Sequence, residues 1–215
     1  MDDKKLRRDV IDALDWDPSV DSANIGVAVN DGVAVLSGHV GNYAQKLSAE
    51  RIAKRVKGVT AIAEEIEVRF EGELTHTDDD IAARAVRVLS WDVMLPDNVV
   101  AVKISKGWVT LSGELEWDYQ RRAAEADVRK LGGVKGITNE ITLKPRLTST
   151  DVSQRIENAL KRDAEVEAAR VHVSVADGKV RLEGKVHSWH EREAVERAAW
   201  AAPGVKAVED HVLIG

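Results

Sequence analysis

Apolar and polar positions along this chain follow a helical period, then an alternating one, then a helical one again, and the cycle runs three times. Leu6, Val10, Ala13 and Leu14 stand at i, i+4, i+7 and i+8, which places them on one helical face. The same stripe returns as Ile81, Ala85, Val88 and Leu89 and as Val152, Ile156, Ala159 and Leu160. Alternation follows, with Ile25, Val27 and Val29, then Val100, Val102 and Ile104, then Val171, Val173 and Val175 marking a first strand. Asp31-Gly32, Lys106-Gly107 and Asp177-Gly178 fit two-residue hairpin turns, in which glycine supplies a positive φ. A second strand places Ala34, Leu36 and Val40 on one side, matched by Val109, Leu111 and Leu115 and by Val180, Leu182 and Val186. A second helix is predicted over roughly 43–56, 117–131 and 187–202, with small inward residues such as Ala49, Ala124 and Ala199. A third strand closes each cycle: Val59 to Val68, Val134 to Leu143 and Val205 to Ile214.

The cycle is also a sequence repeat. DGVAVLSGHV at 31–40 returns as KGWVTLSGEL at 106–115 and DGKVRLEGKV at 177–186. Gly38, Gly113 and Gly184 are each followed twenty residues on by a glycine that precedes valine, at Gly58, Gly133 and Gly204. Self-similarity at a fixed period decides the architecture. The expected fold is α+β: three tandem αββαβ domains at 1–72, 77–145 and 148–215, each a three-stranded mixed sheet with two helices on one face. The connectors, about Glu71–His76 and Lys144–Leu147, are short, so a compact or bent array is expected. Gly38, Gly113 and Gly184 fall on the inward face, where a missing side chain would let a helix approach the backbone. Thr77-x-x-Asp80 and Thr148-x-x-Asp151 read as helix caps, which accounts for the Asp78-Asp79-Asp80 run without a metal.

Charge and composition narrow the partners. The net charge is -6 over 215 residues, and no third of the chain is basic, so bulk nucleic-acid binding is not expected. No cysteine is present, which excludes disulfides and thiolate chemistry. MDDKKLRRDVIDALDW holds no apolar run of secretory or membrane-spanning length, so the cytoplasm is the expected location, or the periplasm if a leader was removed.

D/K-G-x-V-x-L-x-G between strand and helix, followed by G-V and then Glu64-Glu65-Ile66 or Asn139-Glu140-Ile141, resembles the BON domain, here in three tandem copies; Asp210-His211-Val212 departs from that last motif. The resemblance implies a binding module of bacterial osmotic-stress and envelope proteins, without catalytic activity. It also implies a phospholipid surface or a monovalent cation as ligand, since one cytoplasmic member binds potassium.

Chemistry of other kinds is thin. There is no Walker loop, no G-x-G-x-x-G and no G-x-S-x-G elbow. His39, His76, His172, His187, His190 and His211 have no equivalents in sister repeats. His187-Ser188-Trp189-His190 could offer two zinc ligands, but no third is assigned, and a solvated helix start is the plainer reading. No metal and no cofactor are expected. The alternative to a binding protein is a small metal-dependent enzyme with a site between repeats.

Six tryptophans against one phenylalanine stand out. Trp16 and Trp91 end the first helix of their repeats and read as core-edge rings closing it. Trp108 on an outward strand face, Trp117 and Trp189 at the second helix start and Trp200 within that helix form the candidate binding patch. These rings would serve packing between repeats, or docking of a protein partner, a second copy or a membrane. The sheet faces that no helix covers, with Val33, Val35 and Thr110, are the expected route of protein contact or self-association.

Overall fold

In the computed structural model of the chain, residues 2–70, 76–144, 152–163, 166 and 170–215 are described. The first repeat contributes α1 (Asp3–Trp16), β1 (Ile25–Asn30), β2 (Val33–Val40), α2 (Tyr43–Lys54) and β3 (Ala61–Val68). The second contributes α3 (Asp78–Trp91), β4 (Ala101–Ser105), β5 (Trp108–Leu115), α4 (Asp118–Val128) and β6 (Gly136–Leu143). The third contributes α5 (Val152–Arg162), β7 (Val171–Ala176), β8 (Lys179–Val186), α6 (Trp189–Trp200) and β9 (Ala207–Ile214). Each repeat has its own three-stranded sheet, β1-β2-β3, β4-β5-β6 and β7-β8-β9. β1 and β7 pair antiparallel with the central strands β2 and β8, and β3 and β9 pair parallel with them. The sequence expectation of mixed three-stranded sheets in tandem α+β domains holds. Two compact units result, 1–114 with 120–141, and 115–119 with 142–215.

Burial follows the stripes. Leu6, Val10 and Leu14 of α1 meet Leu36 and Val40 of β2, Ala49 and Ala53 of α2 and Ile66 of β3 in one core. Ile156, Leu160, Leu182, Val195 and Val212 do the same in the third repeat. Each fully buried aliphatic side chain contributes about 1.5–3 kcal/mol by leaving water.

Local chemistry sets the ends of these elements. Asp2 caps α1 by accepting from Lys4 N at 3.0 Å, and Thr77 Oγ1 caps α3 by accepting from Asp80 N at 3.2 Å. The cap expected at Thr148 and Asp151 and the linker stretches 71–75 and 145–147 lie outside the described residues. Both turn residues of each hairpin have positive φ: 49° and 78° at Asp31-Gly32, 53° and 80° at Lys106-Gly107, 51° and 80° at Asp177-Gly178. In the first and second repeats the first helix holds this turn. Asp3 accepts from the amides of Asp31 and Gly32, and Asp78 does the same for Lys106 and Gly107.

The glycine in the central strand has a different cause from the expected one. Gly38, Gly113 and Gly184 take φ of 112°, 140° and 137°. A Cβ on them would lie 2.0–2.3 Å from the carbonyl oxygens of Asn24, Val99 and Arg170, just ahead of the paired first strand. Close approach of that backbone, not of a helix, excludes a side chain.

One lock recurs between second helix and third strand. Glu64 accepts from Ile66 N at 2.5 Å and pairs with Lys46 of α2 at 2.9 Å. Asp210 accepts from Val212 N at 2.9 Å and pairs with Arg192 of α6 at 2.6 Å. Asn139 accepts from Ile141 N at 3.2 Å and donates to the Arg121 carbonyl of α4. Asp210, which departs from the motif by residue type, performs the same task.

Within the first unit the first and second repeats touch. Tyr43 at the start of α2 is hydrogen-bonded to the backbone of Ile137 on β6, and burial, with Glu125 adding to it, raises its phenol above the ordinary 10.0. Lys135 Nζ sits 6.0 Å from the centre of the Phe70 ring.

Candidate functional site

The most exposed tryptophans are at the ends of α1 and α3. Both helices stop at an aspartate that turns extended, Asp17 at φ -92°, ψ 112° and Asp92 at φ -76°, ψ 111°. Its side chain then accepts from the amide two residues on, Asp17 from Ser19 N at 2.9 Å and Asp92 from Met94 N at 2.8 Å, which forms an Asx turn. The residue after that, Val20 or Leu95, is buried and anchors the chain to the core. The turn therefore throws the preceding tryptophan and the two residues after the aspartate outward. Trp16 is 88% exposed, Trp91 75%, Val93 98% and Met94 54%. The expectation that Trp16 and Trp91 close the helix end as core-edge rings is corrected here. The buried stripe runs Leu6-Val10-Leu14, and a residue two further on lies about 200° around the helix, on the outside. That spacing was the available signal.

The surroundings of the two tips differ. Asp12, Ala13, Trp16, Asp17, Ile52, Arg55 and Val56 line a cleft of about 630 Å³ between the C-terminal ends of α1 and α2. The Asp17 carboxyl is held below the usual range by its Ser19 hydrogen bonds, with Arg51 and Arg55 adding to the effect. In the second repeat Asp127 replaces Ile52 and is hydrogen-bonded to Asp92. Burial, then that neighbouring carboxylate, raises the Asp127 pKa, while Lys130 at 3.7 Å opposes the shift.

The four tryptophans proposed from the sequence occupy separate settings. Trp108 lies across Gly136, where a Cβ would come within 2.6 Å of the ring, and its Nε1 donates to Thr138 Oγ1 at 3.0 Å. It remains 51% exposed on the open sheet face. Trp117 and Trp189 are half-buried, and Arg192 stacks 5.3 Å from the centre of the Trp189 ring. Trp200 packs against the core of the third repeat, and its Nε1 donates to Glu196 at 3.2 Å. Trp108 belongs to the first unit and the other three to the second. The open face of the third repeat is polar as expected, with Lys179–Glu209 and Arg181–Glu183 pairs at 2.8 Å.

At the His187–His190 segment, Ser188 Oγ accepts from Glu191 N at 3.1 Å, and the buried Glu191 accepts from His187 N at 2.7 Å. Ser188 is thus the cap of α6, and Glu191 reaches back to the residue before it in a variant of the capping box. His187 Nε2 lies 3.0 Å from Arg170 Nη1. Among the described residues, no group of three histidine or carboxylate side chains is placed to hold a metal ion. No helix among them is long and apolar enough to cross a membrane.

Three αββαβ units, each with a two-residue hairpin and a locked third strand, define a tandem-repeat module. The BON domain model matches at residues 2–69, 77–145 and 148–215, and the chain belongs to the BON domain family. Among curated proteins, osmotically-inducible protein Y of Escherichia coli (strain K12) is 32% identical over 152 residues, covering 67% of this chain and 74% of that protein. A solved structure of CdsD, a structural protein of the type III secretion system of Chlamydia trachomatis, covers 98% of this chain and 92% of its own at 18% identity and a TM-score of 0.29. One of the CdsD C-terminal domain covers 100% of both at 17% identity and a TM-score of 0.28. At those scores the superpositions carry no argument.

Proposed function

We propose that the chain is a stress-linked, non-catalytic binding protein that docks on phospholipid surfaces through the exposed ends of α1 and α3. Membership of the BON family and likeness to an osmotically inducible protein support the stress-linked, non-enzymatic part. The observation that carries the docking part is the second-repeat tip, where Trp91, Val93 and Met94 stand in water on a turn fixed by Asp92 and Leu95. Indole rings favour the boundary between headgroups and acyl chains, and exposed valine and methionine gain by burial there. The net charge of -6 leaves little attraction to anionic lipid, so insertion of apolar side chains, not phosphate neutralisation, drives this mode.

Sedimentation with zwitterionic vesicles tests the reading. The chain is expected to pellet with them with little dependence on salt, and Trp91→Ala combined with Val93→Asp is expected to remain in the supernatant while melting at an unchanged temperature. Equal pelleting of the variant and the parent chain would refute docking through this tip.

A further inference from the structure

The three repeats treat the outer edge of their first strand differently. In the first, Arg7 of α1 donates from Nε to the carbonyl of Val27 on β1 at 2.7 Å. In the third, Ser153 of α5 donates from Oγ to the carbonyl of Val173 on β7 at 3.0 Å. The corresponding pair in the second repeat is Ala82 on α3 and Val102 on β4. A methyl group cannot donate, and among the described residues no side chain bonds the Val102 carbonyl. Burial agrees: Val27 and Val173 are 7% and 3% exposed, whereas Val102 is only half-buried. One helical turn on from Ala82, Val86 is 59% exposed, where the first repeat packs Ile11 against its core.

Strand register settles which backbone groups are open. Ser105 pairs with Trp108 to close the hairpin, and Ile104 and Val102 face Val109 and Leu111. Backbone groups alternate sides along a strand, so Val102 and Ile104 direct their N–H and C=O away from β5. An edge of this kind is a template for one more strand.

We propose that the β4 edge is a docking site for an extended peptide of a partner protein, with alternating apolar and acidic residues. Side chains of the added strand on the helix side would meet Val86 and Ala82 and are therefore apolar. Those on the other side would flank the exposed Lys103 and are therefore acidic. A second copy is the poorer occupant, because two β4 strands paired about their centre would set Lys103 against Lys103.

Amide hydrogen exchange of the full chain with a short capped peptide of alternating valine and glutamate tests this. At about ten times its Kd the peptide is expected to slow exchange of the Val102 and Ile104 amides by about tenfold. Ala82→Arg, which copies the first repeat, is expected to abolish that protection without changing the melting temperature. The assignment is overturned if those amides are not protected at millimolar peptide, or if Ala82→Arg binds as well as the parent chain. It is equally overturned if alternating valine and lysine serves as well, or if the protection instead rises with protein concentration in the absence of peptide.

Discussion

Asp78 holds both amides of the turn at Gly107: its Oδ2 accepts from Lys106 N at 2.7 Å and its Oδ1 from Gly107 N at 2.8 Å. The first residue of a helix thereby fixes a hairpin 28 residues later in the chain. Within the acidic run, Asp78 has this task and Thr77 is the cap. Asp78→Ala is expected to destabilise the second repeat by about 1–2 kcal/mol, whereas Asp79→Ala stays within about 0.5 kcal/mol. Urea unfolding of the two variants side by side checks the ranking; equal losses would mean that the run acts only through helix electrostatics.

Gly113 takes φ of 140°, and an added Cβ would stand 2.3 Å from the Val99 carbonyl oxygen. Gly113→Ala combines backbone strain with displacement of the paired strand, and about 2–4 kcal/mol is expected. If the glycine served only helix packing, the loss would instead be recovered by trimming α4, for example with Ala124→Gly. Thermal unfolding of single and double variants separates the two.

Asp210 accepts from Val212 N and pairs with Arg192, while Asn139 in the second repeat bonds Ile141 N without a charge. Asp210→Asn is therefore expected to cost less than Asp210→Ala by about 0.5–1.5 kcal/mol, the worth of the retained hydrogen bond. Denaturant midpoints give the order directly, and an equal loss in both would place the value in the ion pair alone.

The raised pKa of Asp127 has a defined sign. A carboxyl that holds its proton more tightly when folded carries no penalty below the ordinary value of 3.8, and gains one as pH rises through its raised folded value. Asp127→Asn should therefore raise the melting temperature at about pH 7 and lose that advantage at about pH 3. An advantage of equal size at both ends would show that ionisation of the partly buried Asp127 beside Asp92 is not the cause.

How far the sequence carried these findings differs by element. Hairpins and helical stripes were legible because Asp31-Gly32 and Leu6-Val10-Leu14 signal through local geometry that neighbours do not alter. The cause of Gly38 was not, since its constraint is the carbonyl of Asn24, which only strand pairing brings near. Asp210 looked like a departure from the motif because residue type hides what a short carboxylate and Arg192 do together. The tips at Trp16 and Trp91 could have been read from their offset from the buried stripe; a general preference for burying rings obscured it. Ala82 carries no chemistry of its own, and its meaning appears only beside Arg7 and Ser153 in the folded repeats.

The central claim is that the Trp91 turn enters a lipid interface. Tryptophan fluorescence with vesicles of brominated phosphatidylcholine tests it most directly. A blue shift and strong quenching are expected in the parent chain, with most of the quenching lost in Trp16→Phe combined with Trp91→Phe. Quenching that is absent, or that survives unchanged in this double variant, would contradict it.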